Sequence, residues 1–297
     1  MPCSAPSYIG RFAPSPSGPL HFGSLIAATG SYLQAKSQQG QWLVRMEDID
    51  LPRMVQGADS DILRTLELFG LYWDGDIWYQ SARLERYQQL LDELHQQQLV
   101  YGCNCNRKRI AAVGGIYDGH CRELALNQPP LAWRLKASSV SSQFDDVIFG
   151  HQQIATDLAA EDYIIKRRDN LFAYQFVVVV DDIDQHITEV IRGADLLQMT
   201  PRQQALCQLL GAKAPLYGHL PLAVTEPGFK LSKQNHAAAI SQWPVSDVMA
   251  SVLAFLGHPL PDELHKAPVT EQLQWATVNW SLSNIPRQNE IRLAEFR

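Results

Sequence analysis

Two stretches far apart in the chain carry side chains suited to polyphosphate chemistry. The first is Arg11-Phe12-Ala13-Pro14-Ser15-Pro16-Ser17-Gly18-Pro19-Leu20-His21-Phe22-Gly23-Ser24, the second Lys230-Leu231-Ser232-Lys233-Gln234. Glycines let a phosphate approach the backbone, and a helix opening after His21 offers unpaired N–H groups and a positive dipole end. His21 at that entrance can donate to a phosphate oxygen, and the two lysines make a cationic clamp. Neither stretch is a P-loop, because the Gly-x-x-x-x-Gly-Lys-[Ser/Thr] spacing is missing.

Further charges gather where an amino acid could be held. Arg45-Met46-Glu47-Asp48-Ile49-Asp50-Leu51-Pro52-Arg53 has three carboxylates and two arginines. Glu47 could pair with a substrate ammonium, and Arg11 suits a carboxylate through a bidentate fork. Tyr174 and Arg192 would complete such a pocket from the second half of the chain. A separate cluster, Cys103-Asn104-Cys105 with Tyr117, His120 and Cys121, could close a tetrahedral zinc site with three thiolates and one further ligand. From spacing alone, His120 is the more ordinary fourth ligand.

The elements that must position these groups read as α/β. Tyr8, Ile9 and Phe12 mark a strand, Leu25, Ala28, Tyr32 and Leu33 a helix, and Trp42–Met46 a second strand. Ile62, Leu66 and Phe69 lie on one helix face ending near Gly70, and Leu84, Tyr87, Leu91 and Leu94 on another. The βαβα order predicts a parallel sheet. Strands are also predicted at Ala132–Leu135, Val147–Phe149 and Tyr163–Ile165. The β-branched run Phe176–Val180 predicts a strand buried on both faces, ending in Asp181-Asp182 at a ligand-binding sheet edge. Thr200-Pro201 predicts an N-cap with proline at the first helical position, and Gly211 the residue past the end. Residues 241–297 read as helical, around Val248, Val252 and Phe255 and again near Glu271–Trp280. The expected divisions are 1–100 and 161–240 for the two halves of the catalytic sheet, 101–160 for an insertion, and 241–297 for a short helical C-terminal region.

Composition narrows the class. The 297 residues are 46% hydrophobic and 19% charged, ordinary for a globular protein. No apolar run reaches membrane length and no charged start precedes an apolar stretch, so a cytoplasmic protein is expected. Five cysteines argue against a secreted disulfide framework. The net charge of −6 does not advertise nucleic-acid binding, although Arg107–Arg109 and Lys166–Arg168 could form local basic patches.

Together the two phosphate-type stretches resemble the HIGH and KMSKS signatures of class I aminoacyl-tRNA synthetases. With Arg45–Asp50 and Arg192-Gly193-Ala194-Asp195, the resemblance is to the glutamyl-tRNA synthetase branch, over roughly residues 7–240. It departs at Ser24, which ends the HIGH-like tetrapeptide, and at Gln234, where a serine is common. The resemblance implies a Rossmann-like catalytic sheet and in-line attack of the glutamate carboxylate on ATP, with Mg²⁺ on the phosphates. It implies glutamate binding by Arg11, Ala13, Ser15, Glu47, Tyr174 and Arg192, and ATP binding by Pro16, Gly18, His21, Gly23, Ser24 and Lys233. His21, Lys230 and Lys233 would be the catalytic groups. The Cys-x-Cys…Tyr-x-x-x-Cys arrangement is similar to that of one group of synthetase paralogues in which the tyrosine coordinates zinc, which implies Cys103, Cys105, Tyr117 and Cys121 as ligands.

A full glutamyl-tRNA synthetase carries an anticodon-binding region after the lysine loop. A compact chain of this length is on the order of 50 Å across, too short to span both arms of a tRNA. The core, the short tail and the Cys-x-Cys…Tyr-x-x-x-Cys insertion together resemble the paralogues that transfer activated glutamate to the queuosine base in the anticodon loop of tRNA(Asp). A truncated synthetase charging a tRNA 3′ end is the alternative.

Overall fold

A computed structural model describes residues 8–137, 140–226, 229–230 and 240–293. The chain opens with β1 (Ile9–Phe12), α1 (Phe22–Ser37), β2 (Gln41–Met46), α2 (Ala58–Leu68), β3 (Trp78–Tyr79) and α3 (Leu84–Gln96). Next come β4 (Val100–Cys103), α4 (Arg107–Ala112), β5 (Ala132–Leu135), β6 (Gln143–Asp146), β7 (Gly150–Gln153), α5 (Thr156–Ala159) and β8 (Ile164–Lys166). Then follow α6 (Tyr174–Asp184), β9 (Glu189–Gly193), α7 (Thr200–Leu209), β10 (Leu216–Leu220), β11 (Leu222–Glu226) and β12 (Phe229–Lys230). The described chain closes with α8 (Val245–Phe255), α9 (Val269–Asn279) and β13 (Glu290–Arg292).

Strands β1, β2 and β3 pair in parallel, as do β9 with β10 and β10 with β6, while β7 lies antiparallel at the edge. The two sheets meet where the Thr188 N–H donates to the Ile9 carbonyl at 2.9 Å, bringing β9 beside β1. From β1 the chain winds outward one way through β2, and from β9 the other way through β10. Open α/β sheets bind ligands at such a reversal, at the carboxyl ends of the strands. The small antiparallel sheet β4-β5-β8 stands apart and carries the cysteine-bearing segment. Strand β6, within 101–160, belongs to the main sheet through β10.

The period-2 alternation of β1 and β2 sends Phe12, Trp42, Val44 and Met46 into a core shared with α1, α2, α8 and α9. Arg11 and Arg45 are bonded instead to α6. Helix α1 is buried along most of its length. Gly30 allows this approach, because a Cβ there would stand 2.7 Å from Leu220 Cδ1. At Gly257, just past α8, φ is +78° and a Cβ would meet the Asn284 carbonyl oxygen at 2.0 Å, so only glycine closes that turn.

Four expectations need correction. The run Phe176–Val180 is the middle of α6, not a strand, and every residue from Phe176 to Asp182 in it is buried. Four valines cost a helix about 0.5 kcal/mol each. Burying each contributes about 1.5 kcal/mol or more, and α6 packs among α3, α7 and the small sheet, so packing overrides propensity. Val147–Phe149 is the turn between β6 and β7, where Asp146 Oδ1 accepts the Ile148 and Phe149 N–H groups at 2.9 and 2.8 Å. Thr200 is the first residue of α7 and not its cap, and its hydroxyl accepts from Arg192. The C-terminal region is helical through α8 and α9 but ends in β13, which pairs in parallel with β11. On α3, Tyr87, Leu91 and Leu94 are buried as predicted while Leu84 is exposed. Among the described residues no helix is long and apolar enough to cross a membrane.

Candidate active site

A cavity of about 770 Å³ opens at the reversal between β1 and β9. Its walls include Arg11, Ala13, Ser15, His21, Gly23, Ser24, Glu47, Tyr174 and Arg192, so nine of the predicted site residues converge there from both halves of the chain. Pro16 and Gly18 sit in the same loop without lining the cavity. The Pro16 carbonyl accepts from the Val55 N–H at 3.0 Å, and Gly18 adopts φ 134°. Lys230 is placed by its backbone, in β12 opposite Val224. Lys233, with Leu231, Ser232 and Gln234, lies outside the described residues.

His21 caps α1: the Ser24 N–H donates to its Nδ1 at 3.2 Å. An Nδ1 that accepts carries no proton, so in the neutral ring the proton is on Nε2. The cap thus presents an imidazole N–H donor at the helix entrance, where the backbone dipole also favours an anion.

Arg11 and Arg45 are held from below by α6. Asp182 accepts from Arg11 Nε and Nη2 at 3.1 and 3.3 Å and from Arg45 Nη2 at 2.7 Å. Gln185 accepts from Arg45 Nη1 at 2.7 Å. Asp181 in turn accepts from Gln80, Arg83 and Tyr87 at 2.9, 2.7 and 2.9 Å. Burial opposes the Asp182 charge, but Arg11 and Arg45 outweigh it and hold the carboxyl below its usual range. Sequence reasoning placed Asp181-Asp182 near the site without a role. The adjacency of two acids after an apolar run was the available signal.

Glu47 is buried, and its Oε1 has no hydrogen-bond partner. Burial pushes its carboxyl up to about 7, against the pull of Arg45 and Arg11. Burial, with the Glu47 charge, also raises the Tyr174 hydroxyl to about 12, so it stays protonated. Arg192 donates from Nε to His219 Nε2 at 3.1 Å, from Nη1 to Gln203 at 2.7 Å, and from Nη2 to Thr200 and the Leu196 carbonyl at 2.9 and 3.2 Å. His219 and Gln203 had no part in the predicted site, for nothing local marks a histidine as a partner of an arginine 27 residues away.

Away from the cavity, the sulfurs of Cys103, Cys105 and Cys121 all lie within 4.8 Å of one another. Tetrahedral zinc with Zn–S bonds near 2.3 Å sets its sulfurs about 3.8 Å apart, so the cluster is compatible with a metal. Tyr117 Oη is buried 3.8 Å from Cys103 Sγ and accepts the Cys121 N–H at 2.7 Å, whereas His120 is exposed. Arg134 donates to Cys103 Sγ at 3.3 Å and stacks 3.6 Å over the Tyr117 ring, an outer contact of the kind that steadies metal ligands.

The parallel sheet with a cavity at its reversal is the fold of a class I synthetase catalytic core, and the comparisons agree. The family model of class I tRNA synthetases (E and Q), catalytic domain, matches residues 9–254. A glutamate tRNA ligase from Elizabethkingia meningosepticum CCUG26117, solved in complex with its amino acid, superposes with a TM-score of 0.80 at 22% identity. That superposition covers 96% of this chain and 67% of the other. The glutamyl-Q tRNA(Asp) synthetase of Vibrio vulnificus (strain YJ016) is 53% identical over 285 residues, 96% of this chain and 93% of the relative. That of Serratia proteamaculans (strain 568) is 54% identical over 288 residues, 97% and 95% of the two chains. The chain belongs to the class I tRNA synthetases of the E and Q type and, within them, to the glutamyl-Q tRNA(Asp) synthetase family.

Proposed function

We propose that the protein activates glutamate with ATP and transfers it to queuosine in the anticodon loop of tRNA(Asp). The observation that carries this reading is identity of about one residue in two with glutamyl-Q tRNA(Asp) synthetases over nearly the whole chain. In the first step a glutamate α-carboxylate oxygen attacks the α-phosphorus of ATP and pyrophosphate leaves. In the second, a queuosine hydroxyl attacks the activated carbonyl and AMP leaves. Arg11, Ala13, Ser15, Glu47, Tyr174 and Arg192 hold glutamate, with the unpaired Glu47 oxygen facing its ammonium. Pro16, Gly18, Gly23 and Ser24 border the ATP, the Nε2–H of His21 meets a phosphate oxygen, and Lys230 and Lys233 meet the charge that builds on the departing pyrophosphate. Mg²⁺ accompanies the ATP. Cys103, Cys105, Tyr117 and Cys121 hold one structural zinc, which braces the small sheet near the RNA. These substrates place the reaction in the cytoplasm.

The test is glutamate-dependent ATP–pyrophosphate exchange without tRNA, followed by labelling of tRNA(Asp) with and without queuosine. Label in the anticodon loop of the queuosine form alone is the expected result. Label on the terminal adenosine would overturn the proposal in favour of ordinary charging.

A further inference from the structure

Arg192, a lining residue of the cavity, stands at the end of a buried chain of three side chains. Asp146, on β6, accepts the Ile148 and Phe149 N–H groups with Oδ1, while its Oδ2 lies 2.6 Å from His219 Nδ1. His219, on β10, has no exposed surface, and its Nε2 lies 3.1 Å from Arg192 Nε on β9. Arginine only donates, so His219 Nε2 must accept and its proton must sit on Nδ1, facing the carboxylate. The carboxylate thus selects the tautomer that the arginine needs. Burial and the nearby Arg192 charge keep the ring neutral. An aspartate bonded to Arg192 directly would neutralise it, whereas an interposed neutral imidazole orients the guanidinium and leaves its charge for a ligand.

We infer that Asp146 and His219 are positioning residues that fix Arg192 for the substrate carboxylate; this rests on the glutamate-pocket reading above. In Asp146→Asn the three backbone donors on Oδ1, the N–H groups of Ile148, Phe149 and His219, retain the amide oxygen, so the amide nitrogen faces the imidazole and drives the proton to Nε2, against Arg192. Glutamate-dependent exchange in Asp146→Asn and His219→Phe should show the KM for glutamate raised roughly tenfold, with the KM for ATP within about twofold of wild type. His219→Gln, whose carbonyl can stand where Nε2 stood, should recover most of the loss. Nitrogen-15 spectra of the folded protein should show His219 protonated on Nδ1 in the wild type and on Nε2 in Asp146→Asn, a readout that packing alone would not move. A wild-type ring protonated on Nε2, or both KM values rising together, would overturn the assignment. So would an unchanged glutamate KM in Asp146→Asn while Arg192→Ala raises it. An unchanged glutamate KM in Arg192→Ala overturns the pocket reading instead, and the tautomer spectra still decide whether the pair orients the arginine.

Discussion

With Glu47 facing the substrate ammonium as proposed, glutamate binding should depend on pH in one direction. Its carboxyl titrates at about 7 rather than 4.5, chiefly because it is buried. A raised carboxyl stabilises the ligand-free fold below about 4.5, and that contribution is lost as pH rises through about 7. Binding runs the other way, because only the ionised form pairs with an ammonium. One pH unit below its pKa about one molecule in eleven is ionised, and one unit above it about ten in eleven. Apparent affinity scales with the competent fraction, so the KM for glutamate should fall about tenfold between pH 6 and pH 8. Glutamate itself keeps its charges over that range. Glu47→Gln removes the titrating group: its KM should be flat with pH and raised roughly tenfold or more over the wild type at pH 8, the loss of one charge-assisted hydrogen bond. The assay is ATP–pyrophosphate exchange with glutamate varied at pH 6, 7 and 8. A wild-type KM equal at pH 6 and 8, or the same slope persisting in Glu47→Gln, would refute the assignment of Glu47 to the ammonium.

Lys233→Ala should lower the exchange rate by roughly a hundredfold with the glutamate KM nearly intact, as expected of a group that acts on charge building in the transition state. Cys103→Ala should release one equivalent of zinc, measured by metal analysis, and lower hydrogen-exchange protection over residues 101–121 while glutamate activation persists. Asp182→Ala leaves two buried arginines without their shared carboxylate and should cost about 3–5 kcal/mol in urea unfolding.

Much of the site was legible because its signals are local. The Pro/Gly-rich loop between β1 and α1 dictates its own turns, and Glu47 follows β2 directly. Strand β5 coincides with its predicted limits, Ala132–Leu135. Helix α6 was not legible, because four consecutive valines carry a strand signal and what makes them a helix is tertiary. Its acids meet Arg11 and Arg45 across 171 and 137 residues of sequence. Strand β6 was missed for the opposite reason. Gln143-Phe144-Asp145-Asp146 has little strand character, and its inward alternation, Phe144 and Asp146, shows only once the buried His219 is seen to need a carboxylate. The strand β13 owes its conformation to the edge of β11, a partner no helical periodicity could reveal.

The misread helix bears on how the proposed glutamate pocket would select a zwitterion. Were Phe176–Val180 a strand, Asp181 and Asp182 would stand at the sheet edge and compete with substrate for Arg11. On α6, Asp182 instead takes Nε and Nη2 of Arg11 from below, leaving Nη1 as a donor, and shares its other contact with Arg45. Arg192 is bonded to the imidazole of His219, the amide of Gln203, a hydroxyl and a carbonyl, all neutral. Glu47 keeps a buried carboxylate oxygen without a partner. The cavity therefore presents one guanidinium not bonded to a carboxylate and one unpaired carboxylate oxygen, the complement of an amino acid's carboxylate and ammonium. A ligand carrying only one of these charges leaves the other buried group unanswered, a cost of about 1–3 kcal/mol. On the proposed reading, that penalty, rather than any added contact, would set amino acids apart from simple carboxylates in this pocket.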